Sequence, residues 1–292
     1  MNITPPSDPR DKQAWREYVA HGQAGLAQMM AANLEIYPAE IVELRAGDTA
    51  LYDVAPASIS PSTEDCAIFY IHGGAFIHGS GITAAHMALP LASTAGLRAL
   101  SVDYRMPPDH PFPVGLDDCI AAYRVVIERF DPARLAVAGG SAGGGLAASF
   151  VLKARDLGLP LPGACVLDTP EADLTESGDT FETLADIDVV IRRRLTESIA
   201  VYADDHDLTD PYLSPLFGDF SQGFPPTILT SGTRDMFLSN TVRFHRALLA
   251  ARQEAELHVW EARPHGGFFG APEDAEVTAQ QAEFILRKLA AQ

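Results

Sequence analysis

The chain has 292 residues, 47% of them hydrophobic, which is enough to bury the core of one large domain or two small ones. Its formal net charge of −18 argues against nucleic acid or an anionic membrane as a partner, because both attract clustered lysine and arginine. The three cysteines are far apart in apolar surroundings, so neither a disulfide framework nor a metal site is expected. The first residues lack the apolar core of a secretory signal, and we expect a cytoplasmic protein.

In chain order, a helix over residues 9–33 is followed by a hairpin in "EIVELRAGDTALYDVAPA", with its turn at Gly47 and Asp48. Short apolar runs then alternate with helical patterns. The strand candidates are "AIFYIHG", "RALSVDYR", "RLAVAGG", "GACVLDTP", "PTILTSG" and "AELHVWEA". The helix candidates lie near residues 82–96, 115–129, 142–157, 237–253 and 273–290. Strands that are apolar on both faces and separated by helices predict an α/β fold, with a mostly parallel central sheet flanked by helices.

One stretch interrupts this alternation. Residues 176–222, called the insertion below, contain no convincing strand, and "DIDVVIRRRLTESIAVYADD" is predicted to be an inserted helix. Together with residues 1–36, the insertion is predicted to form a helical cap over the strand ends, because long ordered connections in compact domains are usually functional. The alternative is a plain long connection. The two parts of the core are then residues 37–175 and 223–292.

A glycine-rich turn between a predicted strand and a predicted helix carries the clearest chemical motif. Residues 139–143, "GGSAG", fit G-x-S-x-G, in which small neighbours permit a sharp turn that leaves the serine exposed above the sheet. Ser141 is therefore the predicted nucleophile. A phosphate-binding loop is a weaker alternative, because neither G-x-G-x-x-G nor G-x-x-x-x-G-K-[ST] occurs at the turn. A glycine-rich turn without chemistry is the remaining alternative.

A second glycine-rich loop, "HGGAF", follows an earlier predicted strand. A serine esterase stabilises its oxyanion with the N–H after the nucleophile and with N–H groups of such a loop. Gly73, Gly74 and Ala142 are therefore the predicted oxyanion hole, since glycines leave room for the substrate oxygen. His72 is expected to fix the loop by hydrogen bonding.

The segments "HGGAF", "VDYR" with "PDHPFP", "GGSAGGG", "RDMF" and "PHGGFF" occur in the order found in the hormone-sensitive-lipase-like family of α/β-hydrolases. The chain resembles this family, which includes bacterial carboxylesterases, over residues 40–290. The resemblance implies a carboxylic ester hydrolase with a helical cap and no cofactor. Two positions depart from the family pattern: Gly140 stands where an acidic residue is usual, and Ala75 stands where a third glycine is often found.

In α/β-hydrolases the nucleophile, the acid and the histidine follow one another along the chain. His265 lies in a loop beyond the last predicted strand, where the family motif also matches, and is the predicted base. Asp235 follows a predicted strand and turn and is the predicted acid that orients the imidazole. The acidic residues of the insertion are expected to be solvated. No spacing typical of metal ligands occurs, so no metal is predicted.

These features predict a carboxylesterase that acts on short-chain esters through an acyl-enzyme, with a small-molecule ester as its substrate. Phe76, Tyr202 and Phe217 are predicted to line the substrate pocket. The nearest alternative is a lactone hydrolase with the same machinery. A non-catalytic ligand-binding receptor is the remote alternative, which the intact set of triad residues disfavours. A homodimer that pairs through the last strand, "AELHVWEA", is a further hypothesis.

Overall fold

The computed structural model describes residues 4–290, which contain a single sheet of eight strands. The strands are β1 (Ala39–Ala46), β2 (Thr49–Pro56), β3 (Ala67–Ile71), β4 (Arg98–Asp103), β5 (Leu135–Gly140), β6 (Ala164–Asp168), β7 (Thr227–Arg234) and β8 (Ala255–Pro264). Their order in the sheet is β1-β2-β4-β3-β5-β6-β7-β8. The pairs β1–β2 and β2–β4 are antiparallel, and all the others are parallel. The predicted mostly parallel sheet is confirmed.

Helices cover both faces of this sheet. The helices of the described residues are α1 (Lys12–Ile36), α2 (Ile82–Ala95), α3 (Val114–Val126), α4 (Ala142–Asp156), α5 (Thr180–Thr183), α6 (Thr196–Ala203), α7 (Leu238–Ala250) and α8 (Pro272–Leu289). Neighbouring residues of β3 show the two-sided burial, because successive side chains of a strand point to opposite faces. Phe69 belongs to the apolar cluster that holds α3, α4 and α7, whereas Ile68 belongs to the cluster that holds α2 and α8.

The inserted helix predicted for residues 186–205 is much shorter in the structure. Only α6 is helical in this range, so the prediction is wrong for the first half of the segment. The physical reason is competition for backbone N–H groups, which a helix would need for its own hydrogen bonds. Asp188 Oδ1 accepts the N–H groups of Val190 (2.9 Å) and Ile191 (3.2 Å), and Glu176 Oε1 accepts that of Leu195 (2.6 Å).

Helix α1 lies over the loop that follows β3 and over α6. Trp15 is fully buried in a small apolar cluster with Ile77 of that loop and Val201 of α6. Tyr18 packs against the same cluster, whereas Met29, in the second half of the helix, is 44% exposed. The second half of α1 is attached to α2, where Asn33 Nδ2 donates to the carbonyl oxygen of His86 at 3.1 Å.

Strand β8 forms one edge of the sheet, since it pairs only with β7 in the described chain. Val259, near its middle, is 42% exposed. The homodimer through this edge stays a prediction. None of the helices between residues 4 and 290 combines the length and the apolar character that crossing a bilayer requires.

Candidate active site

Ser141 occupies the sharp turn between β5 and α4. Its backbone has φ 57° and ψ −129°, a strained conformation for a residue with a side chain and one found at functional turns. The turn also depends on its small neighbours. A Cβ on Gly143 would clash with the carbonyl oxygens of Ile71 and His72, and a Cβ on Gly139 would clash with the backbone of Gly143. The glycines therefore let the start of α4 pack directly on β3.

The structure brings together the three side chains predicted to form the triad. His265 Nε2 lies 2.8 Å from Ser141 Oγ, and His265 Nδ1 lies 2.9 Å from Asp235 Oδ1. The acid and the base follow β7 and β8, which are neighbours in the sheet, so their loops meet at the same edge. Each of the two distances has the length of a hydrogen bond. The arrangement can pass a proton from the serine hydroxyl to the imidazole.

Asp235 is completely buried, and its carboxylate is held on both oxygens. Oδ2 accepts the hydroxyl of Ser231 at 2.6 Å, and Oδ1 accepts the backbone N–H of Phe237 at 2.9 Å. The ring of Phe237 packs edge-on against the imidazole of His265, with 4.6 Å between the ring centroids. These contacts fix the orientation of both groups.

The predicted oxyanion loop packs against the nucleophile turn. A Cβ on Gly73 would lie 3.3 Å from Cβ of Ser141, so the loop backbone approaches the serine closely. Ala142, which follows the serine, begins α4. Among the described residues, the N–H groups of Gly73, Gly74 and Ala142 donate no hydrogen bond. These donors therefore remain free to bind an oxyanion.

The side chain of His72 contacts the backbone of the same loop. Its Nδ1 lies 2.8 Å from the carbonyl oxygen of Gly73, and its ring stacks on Tyr104 with 4.2 Å between the centroids. The hydroxyl of Tyr104 donates to the carbonyl oxygen of His72 at 3.0 Å. Burial lowers the pKa of His72 to about 4, so the ring is neutral at pH 7.

Helix α1 is hydrogen-bonded to the end of the oxyanion loop, at Gly79 and Ser80. Gln23 Oε1 accepts the backbone N–H of Gly79 at 2.7 Å, and Gln23 Nε2 donates to the carbonyl oxygen of Ser80 at 3.0 Å. A second donation from Nε2 reaches Thr83 Oγ1 at 3.2 Å. One amide side chain thus connects the helix to the loop and to the start of α2.

The three predicted pocket residues differ in their burial and their contacts. Phe76, two residues after Gly74, stacks on Tyr202 of α6, with 4.0 Å between the ring centroids and 6° between the planes. Phe112 packs edge-on against Tyr202, and all three rings are buried. Phe217 is 40% exposed. The structure therefore joins two of the three residues and leaves the third at the surface.

The two departures from the family pattern have different steric settings. The nearest atom to a Cβ on Gly140 would be the carbonyl oxygen of Asp168, at 3.7 Å, so this position has room for a side chain. Ala75 has φ 53° and Phe76 has φ 62°, which places two non-glycine residues in the left-handed region. The turn of the oxyanion loop therefore forms without a third glycine.

Sequence reasoning missed two buried acids near the site. Asp188 and Glu171 were not among the candidates, because acids of the insertion were expected to be solvated and Glu171 follows a strand without a motif. The only sequence signal for Asp188 is an acid inside the apolar run "IDVVI". Asp188, Asp235 and His265 place potential metal-ligand atoms within 4.8 Å of one another. These atoms are, however, engaged with one another and with backbone N–H groups at hydrogen-bond distances.

Glu171 lies shortly after β6 and donates its backbone N–H to the carbonyl oxygen of Ser141 at 3.0 Å. Its side chain is buried, and Oε2 has no hydrogen-bond partner among the described residues. Burial, with a smaller contribution from the nearby charge of Glu176, raises the pKa of Glu171 to about 8. The carboxyl group is therefore mostly protonated at pH 7.

A mostly parallel sheet, a serine on a strained strand-to-helix turn and a histidine on a loop after the last strand together define an α/β-hydrolase. A sequence model of a family described by the alpha/beta hydrolase fold matches residues 68–269. An acetyl-hydrolase of Streptomyces hygroscopicus is 32% identical over 244 residues, which cover 82% of this chain and 78% of the relative.

Solved structures agree with this result. The crystal structure of an esterase E25 has a TM-score of 0.90 and 34% identity, and the match covers 96% of this chain and 87% of that one. The crystal structure of an esterase from the bacterial hormone-sensitive lipase family has a TM-score of 0.81 and 27% identity, with coverages of 98% and 94%. The chain belongs to the hormone-sensitive-lipase-like family of α/β-hydrolases.

Proposed function

We propose that this protein is a carboxylesterase that hydrolyses short-chain esters through a Ser141–His265–Asp235 triad and an acyl-enzyme. The observation that carries the proposal is the continuous hydrogen-bonded chain from Ser141 Oγ through the imidazole to Asp235. The names of the relatives, an acetyl-hydrolase and two esterases, support the same reaction class.

In the proposed reaction, Ser141 Oγ attacks the ester carbonyl carbon while His265 Nε2 takes its proton. The carbonyl oxygen becomes an oxyanion, which accepts the N–H groups of Ala142, Gly73 and Gly74. The intermediate then collapses, and His265 returns the proton to the departing alcohol. Water attacks the acyl-enzyme by the same route, which releases the acid and restores the serine. Asp235 keeps the imidazole oriented and stabilises its charged form throughout.

The proposed preference for acyl chains of about two to six carbons rests on the aromatic wall above the oxyanion loop. The stack of Phe76 on Tyr202, backed by Phe112, fills the space between this loop and α6. A closed pocket gains about 0.8 kcal/mol for each methylene it buries until the chain meets the wall. Longer chains would then have to displace buried rings.

We also propose that residues 1–36 and the insertion, residues 176–222, form the cap of this enzyme. The cluster of Trp15, Ile77 and Val201 supports this assignment, because it joins the first segment, the oxyanion loop and the insertion. Arg10 and Asp205 form a further contact between the two segments at 2.8 Å. In this proposal, the cap limits the depth of the pocket.

Covalent labelling tests the reaction class. An organophosphonate fluoride should add one group to the wild-type protein, and peptide mass spectrometry should place it on Ser141. Ser141→Ala should take up no label, whereas Ser221→Ala, at an exposed serine outside the site, should be labelled like the wild type. A wild-type protein that binds esters but is neither labelled nor active would instead be a receptor.

A series of p-nitrophenyl esters tests the chain-length preference. We expect kcat/KM to peak at about two to six acyl carbons, and Tyr202→Ala should move the peak to longer chains. Phe217→Ala tests the third predicted pocket residue: an unchanged profile would exclude it from the pocket. Highest kcat/KM of the wild type at about twelve carbons would contradict the aromatic wall as the limit.

A further inference from the structure

One carboxylate of the insertion, that of Asp188, lies beside Asp235 and His265. Asp188 is completely buried, although it lies in a segment whose other acids were expected to be solvated. One of its oxygens lies within 4.8 Å of both a ring nitrogen of His265 and a carboxylate oxygen of Asp235. No arginine or lysine side chain among the described residues forms an ion pair with it.

Both oxygens of Asp188 accept backbone N–H groups. Oδ2 accepts the N–H of Met236 at 2.9 Å and that of His265 at 3.3 Å, while Oδ1 accepts those of Val190 and Ile191. Met236 directly follows Asp235. One oxygen therefore bridges the peptide group next to the acid and the peptide group of the base.

We propose that Asp188 is a positioning residue for the triad, which sets the separation of Asp235 and His265 and places a second negative charge beside the imidazole. The proposal rests on the function proposed above. The acid and the base stand on separate loops after β7 and β8, so a common acceptor limits their relative movement. An error of about 1 Å in such a separation is enough to lower a rate by roughly 100-fold.

The negative charge matters because the imidazole becomes positively charged during the reaction. Asp235 is bonded to the ring of His265 and Asp188 to its backbone N–H. Arg263, two residues earlier, pairs with Asp168, and Asp274 on α8 accepts N–H groups of the loop that follows His265. Arg263 is neutralised by two 3.0 Å hydrogen bonds to Asp168. Asp188 therefore adds to the stabilisation of the imidazolium by Asp235.

The same residue anchors the insertion. Its neighbours Ile187 and Val189 are 51% and 63% exposed, while Ile191 and the buried Phe181 pack against Met236 and Phe237. The Asp188 carboxylate adds a polar attachment of this segment to the loops after β7 and β8. In consequence, a movement of this segment changes the geometry of the triad.

Asp188→Asn tests the proposal with almost no change in shape. An amide has one acceptor oxygen, and in either orientation its NH₂ group faces backbone N–H donors. We expect kcat to fall roughly 10- to 100-fold with KM nearly unchanged. The rising limb of the pH profile of kcat/KM should move to lower pH by about half a unit or more, because the imidazolium loses a favourable charge. Asp186→Asn, at an exposed acid of the same segment, should leave both properties unchanged.

Several outcomes would overturn the proposal. A variant Asp188→Asn with a lower melting temperature but wild-type kcat and an unchanged pH profile would show a purely structural role. If this variant does not fold, amide hydrogen exchange of the wild-type protein decides instead: fast exchange at Met236 and His265 would exclude the bridge. Labelling of Ser141 in the wild type separates these results from a failure of the proposed function, in which that label is absent.

Discussion

The nucleophile turn and the insertion reach the same site by different physical means. At the turn, backbone passes so close to backbone that a Cβ on Gly139 or Gly143 would clash with carbonyl oxygens. In the insertion, the carboxylates of Asp188 and Glu176 accept backbone N–H groups and so fix the course of the backbone. The turn is fixed by the exclusion of atoms, whereas the backbone course of residues 188–195 is fixed by hydrogen bonds that single substitutions remove.

This difference has a consequence for mutation. Where steric exclusion sets the geometry, adding one methyl group is harmful and the surrounding backbone has little freedom to compensate. Where an acceptor side chain sets the geometry of the backbone, replacing that side chain loosens one contact and leaves the fold intact. Four predictions follow this distinction, from the largest expected effect to the smallest.

The largest effect is expected from removal of the reacting groups on the core side. Ser141→Ala and His265→Ala should each lower kcat by roughly 10⁴- to 10⁶-fold, and the double variant should be little worse than either, because the two groups act as a unit. Steady-state kinetics with a p-nitrophenyl ester measures this. A much greater loss for His258→Ala than for His265→Ala would show that His258, and not His265, is the base.

Gly143→Ala tests steric exclusion at the turn. The added methyl group would meet the carbonyl oxygens of Ile71 and His72, so we expect a loss of about 3 kcal/mol in the free energy of unfolding. The displaced turn should also lower kcat/KM at least about 100-fold. Urea unfolding and kinetics measure the two effects.

Gly140→Ala is the matched control at the same turn. Its methyl group would lie 3.7 Å from its nearest neighbour, the carbonyl oxygen of Asp168, and so has room. We expect kcat/KM within about threefold of the wild-type value. Equal damage from the two substitutions would show that the turn needs flexible glycine rather than close backbone contact.

Glu171→Gln tests a buried acid beside the nucleophile. The folded protein keeps this carboxyl protonated up to about pH 8, whereas the unfolded chain loses the proton from about pH 4.5. The free energy of unfolding contributed by Glu171 therefore falls as the pH rises between these values and is constant above them. The variant should be more stable than the wild type at pH 8.5 by several kcal/mol, and about equally stable near pH 4.5.

Urea unfolding at several pH values measures this difference. Glu128→Gln, at an exposed acid on the same chain, should show none of it. A constant difference between Glu171→Gln and the wild type across the pH range would mean that Glu171 is ionised in the folded protein.

The smallest effect is expected where α1 contacts the oxyanion loop. Gln23→Ala removes the acceptor of the Gly79 N–H and should cost about 1 to 2 kcal/mol in the free energy of unfolding. The looser loop should lower kcat/KM roughly 3- to 10-fold. Gln28→Ala, at an exposed position of the same helix, is the control and should match the wild type. Identical kinetics of both variants would show that the contact of α1 does not influence the oxyanion loop.

The same distinction explains what could be predicted from the sequence. The alternation of apolar strands and helices predicted the sheet, and the glycines around Ser141 indicated the sharp turn, because both signals are local. Asp235 and His265 were predicted from their places after the last two strands and, for His265, from the family motif. Asp188 could not be found in this way, since its partners Met236 and His265 are distant in the chain. The extent of α6 was missed because two carboxylates capture N–H groups that the apolar pattern assigns to a helix: Glu176 takes that of Leu195, and Asp188 takes those of Val190 and Ile191.

The cluster of Trp15, Ile77 and Val201 also bears on how the protein is made. During synthesis, the segment that becomes α1 leaves the ribosome first, but its partner in α6 is translated only after most of the sheet. Contacts between such distant parts of a chain form late in folding. The first six strands can therefore pair before Val201 is made, and in the proposed cap the contact of α1 is completed only when α6 arrives.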